Sequence, residues 1–282
     1  MFEALITLLL SNSIANANLS ATIPKPTEPT ATSINFNLDL HKENPVISAD
    51  ASLVFDLQKN TVLYQNNLNT KLPIASLTKV MTALIILQEN KLDEVVTVAY
   101  QATQVQPNKM WLLANEQITV ETLLNGMLMQ SANDAALALA IHNAGSVEAF
   151  IAKMNAYANN LHLVNTHFTN SVGFDDANNY STTYDLMRLT LQLIKHPIVL
   201  TITKQINKIV TSVSGNQHTL ANTNQLLNSP YQVIGLKTGT TPAAGACFIG
   251  ITEGEKPLLT ILLNSPNRFQ ETKVLLDWAN SI

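Results

Sequence analysis

Ala75-Ser76-Leu77-Thr78-Lys79-Val80-Met81-Thr82-Ala83-Leu84-Ile85-Ile86-Leu87 reads as one helical stretch, with Pro73 just before it. Its apolar residues do not keep to one stripe, so this helix is buried nearly all round. Lys79 is the exception in such company: a charged side chain inside a buried helix needs partners. Ser76 stands one turn earlier, and residues three apart share a helix face, so Nζ of Lys79 can reach Oγ of Ser76. A helix covered on all sides implies further layers around it, and the sequence on either side supplies them.

Upstream, 51–56 and 62–64 alternate as strands, with a turn at Lys59-Asn60 that makes them a hairpin. Downstream, 121–129, 133–142, 147–159 and 183–195 carry apolar residues at three- and four-residue spacing. Gly145 and Pro197 act as stops, and Thr182 with Asp185 has capping-box spacing. Beyond Pro197 the pattern returns to strands at 206–213, 233–237, 247–252 and 258–263, and a last helix spans 269–280. Strand pair, helices, strands and helix in that order predict an α+β domain. An antiparallel sheet is flanked by helices, a helical subdomain stands beside it, and the first and last strand segments share the sheet.

The 282 residues are 46% hydrophobic and 13% charged, a globular composition with enough chain for a substantial core. A formal charge of −4 without any basic run argues against nucleic acid as a partner. Only two arginines occur, Arg188 and Arg268, and a guanidinium fork suits planar carboxylates. The single cysteine, Cys247, excludes an intramolecular disulfide and reads as a buried strand residue. Ala4 to Leu10 is a short apolar run and Ala15-Asn16-Ala17 fits a small-x-small cleavage site, so 1–17 is expected to be an export signal, although Glu3 stands where a basic residue is usual. Residues 18–44, with Pro24, Pro26 and Pro29, are expected to be a linker, and 45–282 the folded domain.

Three short motifs occur in order: Ser76-Leu77-Thr78-Lys79 opening the buried helix, Ser131-Ala132-Asn133 between two helices, and Lys237-Thr238-Gly239 closing a strand. A Ser-x-x-Lys arises about once by chance in such a chain, whereas Lys-Thr-Gly is expected about 0.04 times; the ordered combination carries the weight. Serine is a poor nucleophile until a base takes its proton. Lysine is such a base only when neutral, which requires its pKa to fall from about 10.4 toward 7 or 8. Burial drives it down and a second ammonium, for which Lys237 is the candidate, drives it further. Ser131 and Asn133 also fit an ordinary N-cap pair, and Lys237-Thr238-Gly239 an ordinary strand end with a turn glycine. In the functional reading Ser131 relays a proton, Asn133 bonds a substrate amide, and Lys237 with Thr238 holds a carboxylate beside a strand edge that pairs with an extended peptide.

These motifs, with "ASLTKVMTALIIL" at Ala75, "SANDAALALA" at Ser131, "NTHFTNSVGFDD" at Asn165, "TNQLL" at Thr223 and "GLKTGTTPAAG" at Gly235, resemble the low-molecular-mass D-alanyl-D-alanine carboxypeptidases, penicillin-binding serine peptidases of bacterial cell walls. The resemblance implies a DD-peptidase/β-lactamase-like fold and a site outside the cytoplasm. The substrate it implies is a peptidoglycan stem peptide ending in D-Ala-D-Ala, with covalent binding of β-lactams and no cofactor. It makes Ser76 the acylated nucleophile, Lys79 its base and Ser131 a proton relay. Asn133, Lys237, Thr238, Gly239 and Thr240 become substrate-binding residues, with an oxyanion hole from the N–H groups of Ser76 and Thr240. Arg268 is implied to hold the terminal carboxylate. With the chain stopping at Ile282, the catalytic domain is expected without a following β-domain.

A class A-like β-lactamase shares the three motifs but needs a Glu-x-x-Leu-Asn glutamate between the second and third. Glu121-Thr122-Leu123-Leu124-Asn125 matches yet precedes Ser131, and no Glu lies between Glu148 and Glu253. A zinc peptidase is set aside because His162 and His167 lack a His-Glu-x-x-His partner pattern. A DD-endopeptidase and a non-catalytic penicillin-binding sensor remain as alternatives.

Overall fold

The computed structural model describes residues 34–36 and 43–282. The expected export segment, 1–17, lies outside them, as does the expected linker apart from residues 34–36, 43 and 44. Within that linker stretch Asn35–Phe36 (β1) pairs in parallel with Thr61 and Val62.

The hairpin forms as expected from Ala51–Asp56 (β2) and Thr61–Asn66 (β3), with Asn60 at φ 51° in the turn, a left-handed conformation that asparagine tolerates. Leu72–Pro73 (β4) follows. The predicted helix from Ala75 is then two pieces: a 3₁₀ turn over Ala75–Thr78 and an α-helix over Lys79–Glu89 (α1). The helical middle comprises Tyr100–Thr103 (α2), Val120–Met129 (α3), Asn133–Ala144 (α4), Val147–Asn160 (α5), Thr183–Leu193 (α6) and Pro197–Thr203 (α7). Short strands Val95–Thr97 (β5), Gln117–Thr119 (β6) and Tyr180–Ser181 (β7) are interleaved with them. Asn207–Thr211 (β8), Gln217–Ala221 (β9), Val233–Thr241 (β10), Gly245–Thr252 (β11), Leu258–Ser265 (β12) and Arg268–Asn280 (α8) complete the chain.

Capping fixes the helix ends. Gly145 closes α4 at φ 79°, and Thr182 Oγ1 accepts from the Asp185 N–H as their spacing predicts. Pro197 behaves differently from expectation. It opens α7 as its first residue, where a missing N–H leaves nothing unpaired, so the return to strands comes one short helix later.

The main sheet runs β1-β3-β2-β12-β11-β10. It is antiparallel except for β1, and β2 pairs with β12, so the first and last full strands lie side by side. One face packs against α8 through Val54, Tyr64, Phe248, Leu262, Leu275 and Trp278. The other face continues into the helical body, where α1 is the innermost element. Val80 to Ile86 are all buried, and α1 touches α3, α4, α5 and α6. Burying each such Leu or Ile contributes about 1.5–3 kcal/mol, which holds α1 in place while a lysine sits in its first turn.

Candidate active site

The 3₁₀ turn presents Ser76 at the seam between α1 and the sheet edge. Ala75 has φ 47°, an uncommon conformation for a residue with a Cβ, and the turn places the partly exposed Ser76 one turn before fully buried Lys79. Nζ of Lys79 lies 3.0 Å from Ser76 Oγ, 2.7 Å from Asn133 Oδ1 and 2.6 Å from the Val172 carbonyl oxygen. The amide of Asn133 is oriented independently: its Nδ2 donates to the Gln106 carbonyl at 2.9 Å, which turns Oδ1 toward the lysine. Burial holds the Lys79 amine well below the ordinary lysine range; nearby Lys237 lowers it further, against an opposing pull from Asp134. A neutral amine has two N–H donors and one lone pair. Asn133 Oδ1 and Val172 O can only accept, so they take both donors and leave the lone pair to the Ser76 hydroxyl proton.

Ser131 has φ 60°, and its Oγ is buried without a hydrogen-bond partner among the described residues. Neither Ser131 nor Asn133 caps α4, whose N-cap is Ala132 without a side-chain hydrogen bond. The N-cap reading of that motif therefore does not account for its polar residues. Asn133 instead anchors the preceding loop, its N–H donating to Asn108 O at 2.7 Å. Asp134 continues the clamp, accepting from the N–H groups of Met110 and Leu112.

On the other side of Ser76 stands β10. Lys237 is buried, its Nζ donates to Thr238 O at 2.9 Å, and burial followed by the Arg268 charge lowers its pKa to about 7. Gly239 lets the strand come close: a Cβ there would stand 2.8 Å from the Ser76 backbone nitrogen and 3.0 Å from Ala75 Cβ. Gly173 approaches the same nitrogen from the loop before β7, at φ 91°. Arg268, the first residue of α8, donates to Gly239 O and to Thr240 Oγ1, both at 2.6 Å. Thr238 Oγ1 meets Thr223 Oγ1 at 2.5 Å.

Ser76, Lys79 and Asn133 are thus joined by direct contacts. Lys237, Thr238, Gly239, Thr240 and Arg268 line the adjoining strand edge, and Ser131 lies two residues from Asn133. Sequence reasoning missed Gln106, Asn108 and Val172, because they act through backbone carbonyls that every residue possesses. It also missed Thr223, which lies inside the quoted "TNQLL" phrase. Cys247 is buried in β11 as expected, its thiol pushed up to about 11 by burial.

The antiparallel sheet, the helical body and the serine one turn from a buried lysine at their seam belong to the DD-peptidase and penicillin-binding class of fold, which the similar solved structures share. Within that class the chain belongs to the D-alanyl-D-alanine carboxypeptidase family, peptidase S11, whose model matches residues 39–267. It is 35% identical over 253 residues to the D-alanyl-D-alanine carboxypeptidase DacC of Escherichia coli K12, covering 84% of this chain and 62% of that protein. It is likewise 35% identical to a D-alanyl-D-alanine carboxypeptidase of Streptomyces sp. K15, covering 78% of this chain and 82% of that one. The crystal structure of the Streptomyces K15 DD-transpeptidase superposes with a TM-score of 0.80 at 30% identity, covering 86% of this chain and all of that one. Against DacC and against DacF of Bacillus subtilis the chain spans only 62% and 53% of the relative's length.

Proposed function

We propose that this chain is a serine-type D-Ala-D-Ala carboxypeptidase that trims the terminal D-alanine from peptidoglycan stem peptides, acting outside the cytoplasm, with 45–282 as its catalytic domain. The observation that carries the reading is the buried Lys79 Nζ, held by Asn133 Oδ1 and Val172 O and lying 3.0 Å from Ser76 Oγ; as a neutral amine it gives both donors to those two oxygens and turns its lone pair to the Ser76 hydroxyl. Lys79 takes the Ser76 proton as Oγ bonds to the carbonyl carbon of the penultimate D-alanine. The N–H groups of Ser76 and Thr240 stabilise the oxyanion. The C–N bond then breaks as the leaving nitrogen receives a proton relayed through the Ser131 hydroxyl, and D-alanine departs. Water adds to the Ser76 ester, releasing the shortened peptide and restoring the hydroxyl. Lys237, Thr238 and Arg268 form the cationic, hydrogen-bonding edge that suits the terminal carboxylate, while Asn133 and the β10 edge suit the peptide amide. β-Lactams, which imitate the dipeptide, acylate the same oxygen.

Glu121 gives no support to a β-lactamase: it is exposed in the first turn of α3, before Ser131, where an acidic residue suits the helix dipole. The test is release of D-alanine from a pentapeptide together with labelling by a fluorescent penicillin. Wild type does both, and Ser76→Ala does neither while keeping its circular dichroism and melting temperature. Continued D-alanine release by Ser76→Ala would overturn the assignment. Labelling of wild type without turnover would mark a sensor instead, and release of cross-linked peptides an endopeptidase.

A further inference from the structure

We infer that Asn170 is a positioning residue for the general base: its side-chain oxygen gathers the loop so that the Val172 carbonyl is aimed at Lys79 and the Lys79 lone pair is aimed at Ser76. The inference rests on the proposed role of Lys79.

One atom organises the loop. Asn170 Oδ1 accepts from three consecutive backbone N–H groups, those of Val172 at 3.3 Å, Gly173 at 2.6 Å and Phe174 at 3.0 Å. Its Nδ2 donates to Phe174 O at 3.2 Å, which fixes the amide orientation. With the N–H groups drawn inward, the Val172 carbonyl points outward and meets Lys79 Nζ at 2.6 Å. The next residue, Gly173, adopts φ 91° and lies so near the Ala75 carbonyl and the Ser76 nitrogen that a Cβ would collide with both. The rest of the loop is tied to the same helix start. Thr82 Oγ1 donates to Ser171 O at 2.8 Å, and Asn179 bridges the Thr169 N–H to Thr78 Oγ1.

Without Asn170 the loop keeps those outer ties, but nothing else holds the 172–174 N–H groups on one centre. Val172 O is then free to turn from Lys79. Two consequences separate this role from plain structural support. The amine rotates, so the lone pair is misdirected and acylation slows. The ammonium loses an acceptor, so the protonated form is disfavoured and the acid limb of acylation moves to lower pH. The charges facing Lys79 are Lys237 on β10 and Asp134 on α4, with Arg268 of α8 acting on Lys237, and none of these is altered.

Asn170→Thr and Asn170→Val share one shape and differ by the oxygen, since a threonine hydroxyl also accepts nearby backbone N–H groups. The measurement is the second-order rate of acylation by a fluorescent penicillin as a function of pH. Asn170→Val is expected to lose about ten- to a hundred-fold at the plateau, with its acid limb lower by about one pH unit. Asn170→Thr recovers most of both. A valine variant within two-fold of threonine, or one with an unmoved or raised acid limb, overturns the inference; if valine does not fold, Asn170→Ala carries the same comparison. Failure of wild type to be acylated at Ser76 would instead overturn the reading of Lys79 as base.

Discussion

Two buried lysines that make no ion pair among the described residues are the costly residues of this site, and their cost depends on pH. Lys237 falls from 10.5 to about 7 in the folded chain, burial being the larger cause and Arg268 the smaller. Between those two values the unfolded chain holds the proton and the folded chain does not, so stability rises with pH across that window. The penalty is fully present below about 7 and fades as pH approaches 10.5. Lys79 adds a slope of the same sign. Lys237→Met, which keeps the length of the stem and removes the amine, is expected to be more stable than wild type near neutral pH. Its advantage shrinks toward alkaline pH, at no more than about 1.4 kcal/mol per unit. Urea midpoints at a series of pH values measure this, and an identical pH slope in both proteins would refute it. By the proposed role of Lys237, the same variant is expected to lose binding of the substrate carboxylate.

Ser76 depends on three elements meeting at one backbone nitrogen: the 3₁₀ turn, the Gly173 loop and β10. Gly239 is where β10 touches the turn, so Gly239→Ala places a methyl 2.8 Å from Ser76 N and 3.0 Å from Ala75 Cβ. Backbone has to move to make room. The stability cost is about 1–3 kcal/mol, typical of overpacking, but acylation is expected to fall about a hundred-fold because the oxyanion donors separate. Penicillin labelling kinetics on the folded variant decide it; near-normal labelling would show that the close approach is incidental. At this scale the sequence was readable where periodicity is strong, as in α3 to α6 and β10 to β12. It was not readable in the short elements β1, β4 to β7 and α2, and three further places show why. The first turn at Ala75 is 3₁₀, and nothing in Ala-Ser-Leu-Thr distinguishes that from α. Pro197 serves equally as a stop or as a first helical residue. Gln217–Ala221 pairs with β8 although Gln217, Thr219 and Ala221 are exposed and leave only His218 and Leu220 to signal a buried face. Side chains of the site were legible as motifs, while the carbonyls of Gln106, Asn108 and Val172 depend on where the chain folds.

The whole molecule places chemistry on one side of a sheet and much of its anchorage on the other. That the first and last strands adjoin followed from element order alone, and β2 against β12 realises it. Which face carries the site did not follow from the order, because β2 and β12 are buried nearly throughout and show no polar face. α8 joins the two sides: Arg268 at its start reaches Gly239 and Thr240, whereas Trp278, ten residues on and about 15 Å along the axis, packs edge-on against Tyr64 with ring centroids 5.8 Å apart. The Trp278 indole N–H donates to Glu43 O at 3.0 Å, tying residues before β2 to the same face. Trp278→Ala is therefore expected to cost about 3–5 kcal/mol, a large share of the 5–15 kcal/mol typical of a domain. The acylation rate of the molecules that remain folded should nevertheless stay within two-fold of wild type. Denaturant titration and labelling kinetics on one preparation separate the two quantities. Slowed labelling in proportion to lost stability would mean that α8 transmits packing at its far end into the position of Arg268. An unchanged rate would mean that the sheet, rather than the helix, holds the β10 edge against Ser76.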